Sequence, residues 1–227
     1  YDRLYYRDER AGLSGATKEN SDIAKMAQHV REIDRRVGVR GRHILDFGCG
    51  TGNFMRAAQA AGAASVTGVE SNGRAREAGR ALGFEVVPDA TALGRRKFDV
   101  IYMNDVIEHL RDPVGTCRDL GRHASPGATL FVATINAAGL KARLVGRRWD
   151  MYLDPTHFHY FHVRSLTRVL REAGWENIRT LRFAVVFSHH GPLRRALQRL
   201  LVVLGLDSSV KAIASFPGDD YTKRKSP

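Results

Sequence analysis

The stretch His43-Ile-Leu-Asp-Phe-Gly-Cys-Gly-Thr-Gly-Asn-Phe54 decides how this chain is read. A short apolar run carries the carboxylate Asp46 near its end and opens directly into a loop with Gly48, Gly50 and Gly52. Glycine admits positive φ and lets bare backbone approach a bound group closely. The following Phe54-Met-Arg-Ala-Ala-Gln-Ala-Ala61 predicts a helix, so the loop delivers its ligand to a helix N-terminus. Many nucleotide sites share a glycine-rich strand-to-helix turn. Two details narrow the choice. The spacing is Gly-x-Gly-x-Gly, not the Gly-x-Gly-x-x-Gly of dinucleotide folds, and Asp46 would repel a pyrophosphate. A ligand with an ammonium and no phosphate fits, and S-adenosylmethionine is such a molecule.

Outward from this stretch, the strand pattern repeats. Ser65-Val-Thr-Gly-Val69 is a second β run, with Glu70 at its tip. An acidic residue there is placed to accept hydrogen bonds from both ribose hydroxyls, and Ser71 stands beside it. Phe84-Glu-Val-Val87 is a third strand, followed by Pro88 and Asp89, where a side chain meets the adenine amine. Phe98-Asp-Val-Ile-Tyr-Met103 is a fourth, with Asn104 and Asp105 at its exit. Ala128-Thr-Leu-Phe-Val-Ala-Thr-Ile135 is a fifth, introduced by the turn Ser125-Pro-Gly127. Asp46, Gly48, Cys49, Gly50, Glu70, Ser71, Asp89 and Asn104 are therefore the expected cofactor contacts. Most gather at carboxyl ends of strands, as binding in open α/β sheets requires.

The series Leu45-Asp-Phe-Gly-Cys-Gly-Thr-Gly52, Val69-Glu70, Phe98-Asp99 with Asn104-Asp-Val-Ile-Glu-His-Leu110, and Pro126-Gly127 before a β run resembles the class I S-adenosylmethionine-dependent methyltransferases. Four spaced elements agree in order over roughly residues 40 to 186. The Glu-His-Leu signature with a later His-Phe-His segment resembles the small-molecule branch that contains ubiquinone-biosynthesis O-methyltransferases. The resemblance implies a seven-stranded, mostly parallel Rossmann-like sheet in the order 3-2-1-4-5-7-6, with helices on both faces and an N-terminal helical cover. It also implies S-adenosylmethionine as donor and S-adenosylhomocysteine as product. The acceptor expected is a small molecule, a sugar or natural-product hydroxyl. Methylation of RNA ends and a non-catalytic scaffold are the competing readings. The intact Asp46, Gly48, Gly50 and Glu70 speak against the scaffold.

Length and composition suit one domain of 227 residues with 43% apolar content. Its parts are expected as an N-terminal cover (1–38), a cofactor half (39–136), a substrate loop with a helix and strand six (137–186), an amphipathic helical insertion (187–217), and a closing strand and tail (218–227). Two cysteines, Cys49 and Cys117, give no disulfide framework, so a reducing cytoplasm is the expected setting. No apolar run approaches a membrane span. The net charge of +12 invites comparison with nucleic-acid binders. Arginines such as Arg164, Arg168 and Arg171 fall on a helix instead, as a solvated face, and no aromatic-interleaved basic strand accompanies them.

Three outer stretches carry further expectations. Tyr1, Tyr5 and Tyr6 precede a helical pattern with apolar residues at 23, 26, 27, 30 and 33, which Ser21 or Asp22 would cap. Residues 146–161 hold aromatics and two histidines in an irregular loop that should fold over the catalytic face. Val163–Gly174 then reads as an amphipathic helix stopped by Gly174, and 176–186 as strand six. Residues 192–206 are amphipathic, with Arg194, Arg195 and Arg199 on a basic side. Such a helix buries its stripe against the domain or a partner, or lies on a membrane as a peripheral contact.

Methyl transfer asks for alignment and for a group that takes the acceptor proton. His157, on the aromatic loop, is the expected base, and His109, on the turn after strand four, lines the pocket beside it. A sharper alternative involves metal. A helix beginning near 105 would place Asp105, Glu108 and His109 on one side at i, i+3 and i+4, with His157 closing a divalent site. Similar clusters occur in the resembled family, with Glu where this chain has Asp105. The competing reading makes these residues a polar pocket wall, with turnover that needs no added metal.

Overall fold

The computed structural model describes residues 15–184 and 191–218, with side chains from residue 23 onward. Tyr1, Tyr5 and Tyr6 lie outside them. Seven strands form one sheet in the order β3-β2-β1-β4-β5-β7-β6. They are β1 (His43–Phe47), β2 (Ser65–Val69), β3 (Glu85–Val87), β4 (Phe98–Asn104), β5 (Ala124–Ile135), β6 (Glu176–Thr180) and β7 (Ser209–Ser215). The pairs among β1 to β5 are parallel, and β7 runs antiparallel to both its neighbours. The order 3-2-1-4-5-7-6 is as the sequence predicts.

Alternation along the strands sends side chains to two apolar layers. Ile44, Val100, Tyr102 and Phe131 pack on one side with Met26, Val30 and Ile33 of α1 (Gly15–Val37) and with Phe54 and Met55 of α2 (Asn53–Ala60). Leu45, Ile101, Met103 and Val132 pack on the other with Cys117 and Leu120 of α4 (Pro113–Gly121) and Leu166 and Leu170 of α6 (Val163–Glu172). Helix α3 (Gly73–Ala81) is capped by Asn72, whose side chain accepts from Ala75 N. Short α5 (Leu140–Val145) and α7 (Pro192–Val203) complete the list of α-helices among the described residues. The N-terminal helix is thus a structural layer over β1 and β4. It starts at Gly15, several residues before the expected cap at Ser21 or Asp22.

Four boundaries differ from the sequence reading. The closing strand is Ser209–Ser215, inside the stretch expected as the helical insertion 187–217 and not at 218–227. Lys211, buried at the centre of β7, interrupts the apolar alternation and hides the strand. Residues 219–227 lie outside those described. Strand six ends at Thr180, well short of 186, and 185–190 also fall outside the description. Strand five begins at Ala124, with a register shift between Phe98 and Val100 that absorbs Ser125-Pro-Gly127. No helix begins at 105: a single 3-10 turn, Ile107–His109, follows β4.

Candidate active site

The glycine loop is shaped by backbone contacts before any side chain acts. Gly48 N and Cys49 N both donate to Val69 O, at 2.7 and 3.0 Å, tying the exit of β1 to the end of β2. Gly48 sits at φ 81°, and a Cβ on it would fall 2.3 Å from Val106 Cγ2. Only glycine fits there. Gly68 is excluded from substitution by space alone, since its Cβ would meet Cys49 Sγ at 2.6 Å.

Asp46 is buried, with Oδ2 lacking a partner. Burial first, then the charge of Glu70, pushes its carboxyl well above the usual carboxylate range. Such a group is completed by an arriving cation. An ammonium near Asp46 is the part of the expected ligand that the structure fits best. Glu70 accepts from Gly50 N at 3.0 Å through Oε2 and from Asn72 N at 2.8 Å through Oε1. Its neighbour Ser71 offers its carbonyl to Arg76 at 2.5 Å. Asp89 caps the turn Ala90–Leu93: Oδ1 accepts from Thr91 Oγ1, Thr91 N and Ala92 N. The Thr91 hydroxyl leads in holding the exposed Asp89 carboxyl below its ordinary value. Asn104 Nδ2 donates to Asp105 Oδ2 at 2.8 Å. The Cys49 thiol, in the same loop, is pushed far up by burial and is inert as a nucleophile.

The aromatic loop closes on the turn after β4 through the backbone of Glu108. Its carbonyl accepts from Phe158 N at 2.9 Å and His159 N at 3.1 Å. This stitching brings His157 to His109, ring centroids 4.7 Å apart. His109 Nδ1 donates to Thr156 O at 2.9 Å, and His157 Nδ1 to Met151 O at 3.0 Å. A carbonyl only accepts, so both rings carry their proton on Nδ1 and their lone pair on Nε2. Burial lowers the His109 pKa, against the pull of the Thr156 carbonyl. Asp154 Oδ2 lies 3.8 Å from His157 Nε2. Trp149 and Phe161 are buried, while Phe158 stays half exposed beneath Arg111.

Glu108, His109 and His157 each place a ligand atom within 4.8 Å of the others. Glu108 is buried, and Oε2 has no partner. Burial, then the charge of Asp105, pushes its carboxyl up to about 7. Asp105 is not part of the trio, contrary to the four-residue cluster read from spacing. It adopts φ 53° rather than a helical value, and its Oδ2 pairs with Lys25 Nζ at 2.7 Å. Burial opposes its charge, yet Lys25 and Asn104 together hold it below the usual range.

Two residues of α1 reach this end of the sheet and were missed by sequence reasoning, Lys25 and His29. His29 is buried, its Nδ1 2.6 Å from Tyr102 Oη and its Nε2 without a partner. Burial, then Lys25 and Lys211, push its pKa down to about 3, so the ring stays neutral. The signal was present: position 29 falls between apolar 26, 30 and 33 on the buried stripe of the helix.

Comparison with known proteins places the chain in a family. A family model described as a methyltransferase domain matches residues 9–180. Ubiquinone biosynthesis O-methyltransferase of Aromatoleum aromaticum is 31% identical over 166 residues, covering 66% of this chain and 70% of that protein. The protein of the same name from Pseudomonas aeruginosa is 33% identical over 164 residues, covering 65% and 70%. Among solved structures, an S-adenosylmethionine dependent methyltransferase from Mesorhizobium loti superposes with a TM-score of 0.64 at 20% identity, over 86% of this chain and 99% of that one. Magnesium protoporphyrin IX methyltransferase from Synechocystis, with bound S-adenosylhomocysteine, gives 0.63 at 14% identity over 94% and 91%.

Proposed function

This chain belongs to the class I S-adenosylmethionine-dependent methyltransferases, and from that premise we propose that it methylates a hydroxyl of a small molecule, a sugar or natural product, with His157 as the base. Relatives about a third identical are named for O-methylation, which supports oxygen as the accepting atom. S-adenosylmethionine, when bound, supplies a methyl group already activated on a positively charged sulfur. The protein's own task is to hold, align and deprotonate. Asp46 receives the ammonium. Glu70 turns its carboxylate to the ribose hydroxyls, with Gly48, Cys49 and Gly50 beneath the methionine portion. Ser71, Asp89 and Asn104 border the remainder.

The observation that carries the proposal is the pair of imidazoles locked in one tautomer beside a buried carboxyl. His157 Nε2 takes the acceptor proton while Met151 O fixes the ring, and Asp154 Oδ2 lies 3.8 Å from that same nitrogen. His157→Ala should lower turnover by about 10²–10⁴-fold, with calorimetric affinity for S-adenosylhomocysteine unchanged. Mass spectrometry of a panel of phenols and glycosides supplies the readout. Full activity in His157→Ala would remove the base from this loop.

The same three side chains favour a second reading. Two imidazoles with tautomers fixed by backbone carbonyls, plus an unpartnered carboxylate oxygen, suit a divalent cation. In this reading Glu108, His109 and His157 hold the ion, which would polarise a vicinal diol, and Asp105 stays with Lys25. Turnover abolished by a chelator and restored by a divalent cation selects this reading. Turnover indifferent to chelation selects the base.

A further inference from the structure

Helix α7 is mounted with its apolar stripe turned outward. Leu193, Leu197, Leu200 and Leu204 recur at spacings of four, three and four, so they share one side, and they are 84, 51, 53 and 57% exposed. Val202, two residues from Leu200 and so on the opposite side, is the buried residue of the helix. A helix seated on a domain ordinarily shows the reverse. Exposed Arg194 and Arg199 flank the leucines.

The end of α7 is tied to the connection between β5 and α5. Leu140 N donates to Leu206 O at 2.8 Å, and Asn136 Nδ2 to Asp207 O at 2.9 Å. Beyond that tie, α5 exposes Leu144 and Val145, and the exposed Arg143, Arg147 and Arg148 stand within four residues of them in the chain. Neither 137–149 nor 191–206 contains an acidic residue, and Asp150, the next residue, is spent on Lys141 at 2.9 Å. Both segments adjoin the end of β5, the same end of the sheet as Glu108.

We propose that α7 and α5 together form a face that docks on an anionic lipid bilayer. Charge decides the occupant. A second copy meeting this face about a twofold axis would set arginine against arginine with no carboxylate from either segment. Anionic headgroups meet those arginines with opposite charge, and the acyl boundary takes up the leucines. Attachment is peripheral, since no helix among the described residues is long and apolar enough to cross a membrane. The proposal is independent of the acceptor and of the chemistry at His157, and its readout is binding alone.

The test is co-sedimentation of the full chain with vesicles of phosphatidylcholine, pure or with about 30% phosphatidylglycerol, in ~0.15 M salt. Binding to the anionic vesicles alone is expected. Leu197→Glu with Leu200→Glu should lower partitioning by about tenfold or more at unchanged thermal melting, because both side chains are exposed. Arg194→Gln with Arg199→Gln keeps the leucines and should weaken the preference for anionic lipid. Equal binding to both vesicle types, binding to neither, or unchanged binding in the leucine variant overturns the proposal. A concentration-dependent dimer in light scattering, dissolved by the same leucine variant, also overturns it in favour of a self-interface.

Discussion

Glu70 and Glu108 are both acidic, and their surroundings divide their roles. Glu70 accepts from two backbone amides, Gly50 and Asn72, so its carboxylate is held in place, as the proposed contact with a ribose requires. Glu70→Ala removes a charged acceptor and loosens the glycine loop, and should weaken S-adenosylmethionine binding by about 1.5–3 kcal/mol in calorimetry. Unchanged affinity would take Glu70 out of the site. Glu108 is buried beside Asp105, and its carboxyl, ordinarily near 4.5, is raised to about 7. Its folded pKa exceeds its unfolded one, so its stability contribution is complete in acid and is lost as pH rises from about 4.5 through about 7. Glutamine, neutral throughout, escapes that loss. With a chelator present, Glu108→Gln should therefore match the native protein in thermal unfolding at pH 5 and exceed it by roughly 1–3 kcal/mol at pH 8. Equal stability at both values would mean that Glu108 is hydrated or paired in solution.

At the scale of elements, what was legible in the sequence was local. The β1 run, its glycine loop and the acid at the tip of β2 each follow from a few adjacent residues, and Asp46, Gly48 and Glu70 stand at the strand ends where they were expected. The helix ended by Gly174 was equally local, since Gly174 adopts φ 93° just past it. What failed depended on contacts between distant segments. Asp105 reads as a helical neighbour of Glu108 and His109, yet its pairing with Lys25, eighty residues earlier, accompanies a left-handed backbone that breaks the spacing. Lys211, by contrast, was a local miss: a buried lysine breaks the apolar alternation of β7, and its partner is Asp207, only four residues back, at 3.3 Å. His29 gave no sign of meeting Tyr102 until the sheet order brought α1 over β4. Helix α7 showed its amphipathic pattern plainly, but periodicity does not say which side faces out, and here the leucines do.

The charge of the whole molecule, +12, fits two partners, and the placement of the cations separates them. Nucleic acid is gripped by cations that follow a backbone, with aromatic platforms for the bases. Here the aromatics of the 146–161 loop are largely spent on each other: Tyr152 meets Trp149 at 5.0 Å and Tyr160 at 4.6 Å, both edge to face. Several arginines are occupied locally, Arg35 and Arg36 with Glu32 and Arg168 with Glu172. The exposed arginines of α5 and α7 instead surround leucines, which nucleic acid has no means to bury. Association with single-stranded RNA should therefore be electrostatic alone. Its logarithmic affinity should fall steeply and linearly with the logarithm of salt concentration, and be negligible by ~0.15 M. Fluorescence anisotropy of a labelled oligonucleotide across a salt series measures this. Binding that persists at physiological salt and prefers one RNA end would instead bring forward an RNA acceptor, with the 146–161 loop recognising a terminal nucleotide.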